Sequence, residues 1–452
     1  MIQKIVIWLR SQYRLSASSG AVRDIAKLMT GSLLSQVAPI LAAPILTRIY
    51  QPSDYGLVGL YISISGLIGL VATLQFNQAI VVAKNDEEAV NLITLCAQLL
   101  VGGSILSFLL IWGLMFAGIV PPLPFSFNYF WLLPFSVLCT GLASVFGSYA
   151  LRIRQIRLIS SGNILTAMVS TFCSIGFGLW FRNLTGLFLG LWLSQFANSV
   201  YLFSGTIYKN PAFLFKKLFL NQWATAKKYA NFFRFSLPAS FINNFTHQVP
   251  VLMLNAWSLP AAAGSFNLSR RMLGLPMAAV SGPIGEIYFQ RASKAYREKG
   301  GFSRIFLWTL KSLSLFSILP FALLILFAPW LFVFIFGESW EEAGQFARIM
   351  GLMYFLRFTT SPLSRTMLIV DKQYITLLID LYLFISNALI FYISLYLLGS
   401  VSKAVLFYSL NYSLLSLFSL WISYKYSKSE MEGNSDAARL PLTNNHKDAT
   451  QP

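Results

Sequence analysis

Charged side chains are scarce in this chain. They make up only 11% of the 452 residues, whereas 56% of the residues are hydrophobic and 15% are aromatic. A water-soluble domain carries about 25% charged residues, because its surface must be hydrated. The mean hydropathy of +0.63 agrees with a surface that lies in lipid. The composition therefore excludes a water-soluble enzyme.

Cysteine and histidine are also rare. Cys96, Cys139 and Cys173 lie within apolar runs without CxxC spacing, and His247 and His446 are the only histidines. These residues are too few and too scattered for a disulfide framework or a zinc site. The sequence contains no GxxxxGK[ST] loop and thus no P-loop nucleotide site. We expect no cofactor, so any work must draw on a membrane potential, an H⁺ or Na⁺ gradient, or a partner.

Long apolar runs dominate the rest of the sequence. A transmembrane helix needs about 20 mostly apolar residues, because roughly 30 Å of hydrocarbon is crossed at 1.5 Å per residue. The sequence predicts an all-α integral membrane protein with about 12 transmembrane helices. The predicted spans are residues 28–48, 55–76, 90–119, 129–150, 159–181, 184–207, 233–257, 261–289, 303–336, 343–370, 374–398 and 402–424.

Lysine and arginine are unevenly distributed among the connections. They cluster in the N-terminal segment and in every second connection, whereas the other connections contain only Arg48, Arg182 and Lys403. Cytoplasmic loops retain Lys and Arg, so both termini are predicted to be cytoplasmic. The net charge of +18 follows from this topology, and we expect no nucleic-acid partner. Four tryptophans at predicted outer ends are expected to be interfacial anchors: Trp131, Trp180, Trp257 and Trp340.

A basic connection divides the chain into two sets of six helices. The prediction comprises a cytoplasmic amphipathic segment (1–27), a first six-helix bundle (28–207), a basic linker (208–232), a second six-helix bundle (233–426) and a disordered cytoplasmic tail (427–452). Because six is even, both bundles insert the same way up. Parallel repeats of this kind enclose a substrate path.

A short pattern recurs at the start of each half. Pro52-x3-Gly56 follows the first span, and Pro260-x3-Gly264 follows the seventh. The similarity is weak in sequence, and chance could produce it. Its value comes from position, because both copies fall between the first and second helix of their half.

Proline interrupts the first and seventh spans. Pro39 and Pro44 lie in the first, and Pro238 and Pro250 lie in the seventh. Proline removes a helical hydrogen bond and kinks the backbone. Interruption in corresponding helices predicts bending elements along a transport path. Proline is also common in membrane helices in general, so a structural role remains open.

Several arginines fall at membrane depth, where a charge costs roughly 2.5–3.5 kcal/mol without a partner or a watery cavity. Arg270, Arg271 and Arg357 have no acid predicted at their depth. They therefore predict an aqueous cavity and an anionic guest, because a guanidinium fork suits phosphate oxygens. Arg48 is placed near the outer exit of that cavity. The alternative is that these side chains reach an interface or a backbone carbonyl.

Three further ionisable residues lie within the predicted spans. Arg365 and Asp380 are about equally far from the connection at 371–373, which makes them a candidate ion pair. Arg365 is also a candidate substrate-binding residue. Glu286 and Asp380 are candidate sites for coupling to H⁺ or Na⁺.

Specific strings resemble bacterial polysaccharide-unit flippases of the Wzx type, over about residues 25 to 425. They are Leu46-Thr-Arg-Ile-Tyr-Gln-Pro-Ser-Asp-Tyr-Gly56, Lys84-Asn-Asp-Glu-Glu88, Asn267-Leu-Ser-Arg-Arg-Met-Leu-Gly-Leu-Pro276, Phe289-Gln-Arg-Ala292, Phe336-Gly-Glu-Ser-Trp-Glu-Glu-Ala-Gly344 and Ser361-Pro-Leu-Ser-Arg365.

The resemblance implies a fold and a function. That family belongs to a superfamily with multidrug extruders and the lipid II flippase, whose members have two six-helix bundles around a central cavity (a MATE-like fold). It implies that the chain moves undecaprenyl-diphosphate-linked oligosaccharide units between leaflets of the bacterial cytoplasmic membrane, for O-antigen or exopolysaccharide synthesis. It also implies a polysaccharide polymerase and a chain-length regulator as partners. The family varies in its cavity residues, so the resemblance assigns no role to any position.

Two other functions remain open from the sequence. One is a MATE-like extruder of drugs or metabolites, although a carrier of cationic drugs is expected to have acids in its cavity. The other is an integral membrane glycosyltransferase or polymerase. Such enzymes usually need a sizeable outer domain, whereas the predicted outer connections are only about three to ten residues long.

Overall fold

The computed structural model describes residues 20–116, 127–181, 183–209 and 222–428. The predictions for residues 1–19, for the linker residues 210–221 and for the tail from residue 429 onward concern residues outside these ranges. Within the described ranges, all regular secondary structure is helical. The prediction of an all-α fold is confirmed.

The helices are numbered here in chain order. They are α1 (Gly20–Ile49), α2 (Pro52–Ala72), α3 (Phe76–Val82), α4 (Asp86–Phe116), α5 (Phe127–Phe130), α6 (Leu133–Arg152), α7 (Ile156–Phe181), α8 (Thr185–Lys209), α9 (Gln222–Lys228), α10 (Leu237–Ala256), α11 (Pro260–Pro276), α12 (Gly282–Lys299), α13 (Ser303–Phe336), α14 (Glu341–Leu363), α15 (Thr366–Ile369), α16 (Gln373–Tyr396) and α17 (Val401–Ser427).

Within the described residues, each predicted span matches one long helix, except that the eighth covers α11 and α12 and the tenth covers α14 and the short α15. The structure differs from the predicted spans at the start of α1 and after α2. α1 begins at Gly20, eight residues before the start of the predicted first span. The short helix α3 was not predicted. It is set off from α2 by Leu74 and Gln75, whose positive φ angles break the helical path.

Two π-helical turns, Phe232–Ser236 and Met277–Ser281, occur in the second half. Each lies two residues before a proline, Pro238 or Pro283, in the first turn of the next α-helix. A proline provides no N–H for the carbonyl four residues earlier, and a wider π turn accommodates that loss. Pro238 is the second residue of α10, and the π turn before it interrupts the regular α-helix within the predicted seventh span. Pro39, Pro44 and Pro250 do lie inside helices.

The outer surface of the helices is apolar. Large hydrophobic side chains are exposed along the spans; on α13, for example, Leu319, Leu326, Trp330 and Phe334 are each more than 60% exposed. Apolar surface of this extent belongs in lipid. Eight helices in the described ranges are long and apolar enough to cross a membrane. The chain is a multi-pass membrane protein.

Helices α10, α11 and α14 are less apolar and fall outside that group of eight. They lie within the protein: α11 packs against α2, α10 and α14, and α14 packs against α13 and α17. A membrane helix surrounded by other helices can carry polar and charged groups, because it does not present them to lipid. A hydropathy count alone therefore leaves out helices that lie within the protein.

The first and second halves have largely separate apolar cores. In the first half, the Trp192 indole N–H donates to the Tyr61 hydroxyl, which donates to the Ser136 hydroxyl, inside a cluster of aromatic rings. In the second half, Ser269 of α11 donates to the carbonyls of Ser265 and Ala343. Each of these hydrogen bonds joins groups of a single half.

The two Pro-x3-Gly patterns meet at the contact between the halves. A Cβ atom placed on Gly56 would lie 1.8 Å from the carbonyl oxygen of Pro260, and one placed on Gly264 would lie 1.8 Å from that of Pro52. The contact is reciprocal, as expected for two repeats related by a two-fold axis. Here we name these four residues the glycine junction. Only glycine permits this approach of α2 to α11.

Other contacts at the same end reinforce the glycine junction. The Asn255 amide donates to the Gly56 carbonyl at 3.3 Å. Trp340 is fully buried, its ring packs edge-on against Tyr55, and its indole N–H donates to the Thr47 carbonyl at 3.0 Å. The expectation that Trp340 is an interfacial anchor is therefore wrong, because it lies between the two halves.

Charged groups join the connections at the opposite end. Arg152 forms an ion pair with Asp86 at 3.2 Å and also donates to the Ala83 and Ile80 carbonyls. Lys228 and Tyr229, in the described end of the linker, both bond to Glu88 at the start of α4. These hydrogen bonds hold the end of the linker against the first half.

The glycine junction gives a test with matched controls. We expect Gly56→Ala and Gly264→Ala each to lower the stability of the purified protein by about 1–3 kcal/mol, because the added methyl forces two backbones apart. Gly66→Ala in α2 and Gly274→Ala in α11 meet nothing within 4 Å and are the controls. Thermal unfolding in detergent measures the effect. Equal behaviour of all four variants would show that close approach does not require these glycines.

Candidate functional site

A large cavity lies between the two halves. Its volume is about 830 Å³, and residues of α1, α2, α7, α8, α10 and α11 line it. That volume is within the range of ligand-binding sites in proteins, roughly 300–1,000 Å³. The cavity starts beside the glycine junction, where Tyr55 and Leu46 line it, and continues along α7 and α8.

The two halves contribute different chemistry to this cavity. Arg270 and Arg271 of α11 are the charged side chains among the described residues that line it. The first half contributes mainly neutral hydroxyl and amide groups: Ser35, Ser63, Asn163, Thr166, Ser170, Thr171, Ser174, Ser194, Gln195 and Asn198. Since no described carboxylate lines the cavity, its charge is positive.

Arg270 is half-buried and partly held by the backbone. Its guanidinium donates to the carbonyl of His247 in α10, and its own carbonyl accepts a hydrogen bond from the Tyr354 hydroxyl at 3.4 Å. Pro250 leaves the adjacent carbonyl of Thr246 without its helical N–H partner, so the helix is irregular here. A guanidinium has five N–H groups, so Arg270 keeps donors for a ligand.

Arg271 is the more accessible of the pair. Its side chain is exposed within the cavity lining, near Tyr55 of the first half. Consecutive residues on a helix point about 100° apart, so Arg270 and Arg271 can approach one ligand from two directions. In the part of the chain that the structure describes, no ion pair includes either residue.

Arg357 does not line the central cavity with them. Its guanidinium carbon lies 5.6 Å from the ring centre of Tyr354 and 5.3 Å from that of Tyr412, inside the second half. Cation–π contacts of this kind stabilise a cation away from bulk water. Tyr354 lies between Arg357 and Arg270. Its ring contacts the Arg357 guanidinium, and its hydroxyl donates to the Arg270 carbonyl.

Arg365 has a different partner from the one predicted. Its guanidinium forms an ion pair with Glu286 at 2.7 Å, and both side chains are about one-third exposed. The predicted pair with Asp380 is therefore not formed. α12 passes beside the end of α14, and Gly285 lies close to the Arg365 side chain. Glu286 and Arg365 neutralise each other, so neither is an uncompensated charge.

Asp380 and Arg48 lie outside the cavity lining. The Asp380 carboxylate accepts a hydrogen bond from the Asn243 amide at 3.2 Å, which joins α16 to α10. Arg48 is exposed in the last turn of α1, next to the Thr47 carbonyl that binds Trp340. It is thus at the end of the molecule that carries the glycine junction.

The neutral wall of the first half was not predicted. The sequence does contain a signal for it, because Asn163, Thr166, Ser170 and Ser174 recur every three or four residues along an otherwise apolar helix. Such spacing places polar groups on one face of a helix. Serine and threonine also occur in membrane helices that only pack against one another, so spacing alone does not identify a cavity.

Comparison with protein families identifies one match. Residues 45–345 match the model of a family described as polysaccharide biosynthesis protein. This agrees with the sequence strings that resemble polysaccharide-unit flippases. No curated protein matches the chain.

Solved structures of membrane transporters share the fold. An inward-facing multidrug resistance MATE transporter has a TM-score of 0.68 at 14% identity, covering 90% of this chain and 98% of the other. The lipid II flippase MurJ, in an inward closed conformation, has a TM-score of 0.66 at 13% identity, covering 87% of each chain.

A third similar structure is a transporter from Pyrococcus furiosus, described by a binding pocket of reverse polarity and a different function. It has a TM-score of 0.59 at 12% identity and covers 89% of this chain and 95% of the other. These likenesses confirm a MATE-like fold.

The Arg365–Glu286 ion pair gives a second prediction. We expect Arg365→Ala and Glu286→Ala each to lower stability by about 1–2 kcal/mol, less than for a fully buried pair because solvent screens both groups. Removing both charges, as Arg365→Ala with Glu286→Ala, should cost less than the sum of the single changes. Thermal unfolding in detergent measures all three variants. Strict additivity would show that the two groups do not stabilise each other.

Proposed function

The chain belongs to the family of polysaccharide biosynthesis proteins, and from this premise we propose that it is a flippase for undecaprenyl-diphosphate-linked oligosaccharide units. In the proposal, the chain moves each unit from the inner to the outer leaflet of the bacterial cytoplasmic membrane by alternating access. The product serves surface polysaccharide synthesis. A polysaccharide polymerase and a chain-length regulator are the proposed partners.

One observation carries the proposal: a cavity of about 830 Å³ whose described charged groups are Arg270 and Arg271. A lipid diphosphate has about two negative charges, and burying them in hydrocarbon without partners costs many kcal/mol. Two guanidinium groups offer charge-assisted hydrogen bonds to the phosphate oxygens. The polyprenyl tail remains in lipid while the headgroup passes through the cavity.

The other predicted arginines have secondary roles in this proposal. Arg357 adds positive charge behind Arg270, and Arg48 receives the diphosphate at the outer exit. Arg365 is not retained as a substrate ligand, because Glu286 already compensates its charge.

Alternating access requires the glycine junction to open. The proposed orientation of the protein in the membrane follows from its basic connections. The glycine junction faces outward, and the end with Arg152 and Lys228 faces the cytoplasm. Contacts at the junction then close the cavity toward the outside. The π turns beside Pro238 and Pro283 are the proposed hinges, because they are the least regular parts of the helices next to the cavity.

The proposed energy source is the membrane potential. Moving one charge across 100 mV is worth about 2.3 kcal/mol, so an inside-negative potential favours outward passage of a dianion. Antiport of H⁺ or Na⁺ is the alternative. Asp380 is the better candidate for it, since Glu286 is paired with Arg365 and no described cation pairs with Asp380.

Replacing the cavity arginines tests the proposal in cells. We expect Arg270→Ala and Arg271→Ala each to reduce surface glycan at least tenfold at normal protein levels, because charged hydrogen bonds to the diphosphate are lost. Arg357→Ala should act in the same direction. Arg304→Ala, an exposed arginine in the first turn of α13, is the control. Full glycan in the Arg270→Ala and Arg357→Ala variants would contradict the assignment. Loss of drug tolerance with intact glycan on deletion would instead indicate an extruder.

The energy source is tested in proteoliposomes. We expect dissipation of an inside-negative potential, at constant pH and Na⁺, to slow flipping, because the potential acts directly on the charged headgroup. Unchanged flipping would contradict the electrophoretic mechanism. Loss of flipping only when the H⁺ or Na⁺ gradient is removed, together with its loss in Asp380→Asn, would indicate antiport.

A further inference from the structure

The two walls of the central cavity differ in a way that the flippase proposal does not use. The second half supplies both arginines, whereas α7 and α8 of the first half supply uncharged hydroxyl and amide groups. The second half also contributes two amides, Gln248 and Asn267, so the asymmetry lies in the charge. A uniform anion carrier has no need for a polar wall without any cation. The asymmetry points to a ligand whose charge is at one end and whose uncharged polar groups are at the other.

Two hydroxyl groups in the wall formed by α7 and α8 are already used as donors. Thr166 donates to the Gly162 carbonyl at 2.9 Å, and Ser194 donates to the Leu191 carbonyl at 2.8 Å. A hydroxyl has one proton and two lone pairs, so these groups retain only acceptor capacity. The partner that suits them is a donor such as a sugar O–H or an N-acetyl N–H.

Two amides in the same wall lack partners. Within the described residues, the side-chain oxygens of Gln195 and Asn198 are buried without a hydrogen bond. An unsatisfied buried acceptor is costly, and such groups are uncommon in proteins. Turning either amide about its last bond exchanges its oxygen and nitrogen. Each amide can then offer a donor and an acceptor to a ligand in the cavity.

From these observations we infer that the first half binds the sugar while the second half binds the diphosphate. The inference rests on the proposed function and adds an orientation to it. The ligand class is an uncharged, hydroxyl-rich sugar next to the diphosphate. Gln195 and Asn198 are the residues that discriminate a glycosylated lipid from a bare one.

Binding of two lipids to one protein preparation tests the inference. The full chain in nanodiscs is titrated with undecaprenyl diphosphate carrying a neutral disaccharide and with undecaprenyl diphosphate alone. We expect Gln195→Met with Asn198→Leu to weaken binding of the glycosylated lipid about tenfold and to leave the bare lipid unchanged, because two sugar hydrogen bonds are lost. The ratio of affinities is insensitive to loss of folded protein, since both lipids report on the same folded fraction.

Two further variants separate the outcomes. Gln345→Met, an exposed glutamine outside the cavity, is the matched control and should change neither affinity. Arg270→Ala with Arg271→Ala should weaken both lipids equally. An unchanged ratio in the Gln195→Met, Asn198→Leu variant would overturn the inference and leave the proposed function standing. If the unaltered protein bound neither lipid, the proposed function would fail, and the inference with it.

Discussion

Two helices can cross as closely as α2 and α11 only where neither carries a side chain at the crossing point. Gly56 and Gly264 satisfy this requirement reciprocally, each against the carbonyl of the proline that begins the other helix. Trp340 and Asn255 add hydrogen bonds across the same contact. Most of the described packing otherwise lies within one half or the other, so this contact positions the two halves and the cavity between them.

The contact between α2 and α11 also places charged and uncharged groups on opposite walls of the cavity. Because α11 runs from the glycine junction along the cavity, it places Arg270 and Arg271 opposite α7 and α8. At the corresponding positions of α2, 208 residues earlier, the first half has Ile62 and Ser63 in place of Arg270 and Arg271. A pseudo-symmetric scaffold thus encloses an asymmetric site, which suits a ligand with a charged end and an uncharged end.

Much of the fold follows from the sequence. Apolar runs predict the membrane helices because a span must satisfy its backbone hydrogen bonds internally and face lipid with apolar side chains. The repeated Pro-x3-Gly pattern also marks the junction correctly, although its role is visible only once the copies meet. By contrast, Trp340 lies at the predicted end of a span, as an interfacial anchor does, and yet it is buried. A tryptophan at a helix end has the same position in the sequence whether it faces the membrane interface or another helix.

The sequence and the tertiary structure determine different properties of the candidate site. The sequence by itself determines that the protein crosses the membrane many times and that several arginines lie at membrane depth, because hydropathy and charge are properties of single residues. Tertiary structure decides which charges are free: Glu286 compensates Arg365, tyrosine rings hold Arg357, and Arg270 and Arg271 line the cavity. The physical reason is that pairing and exposure depend on distances between helices remote in the chain, which no local pattern specifies.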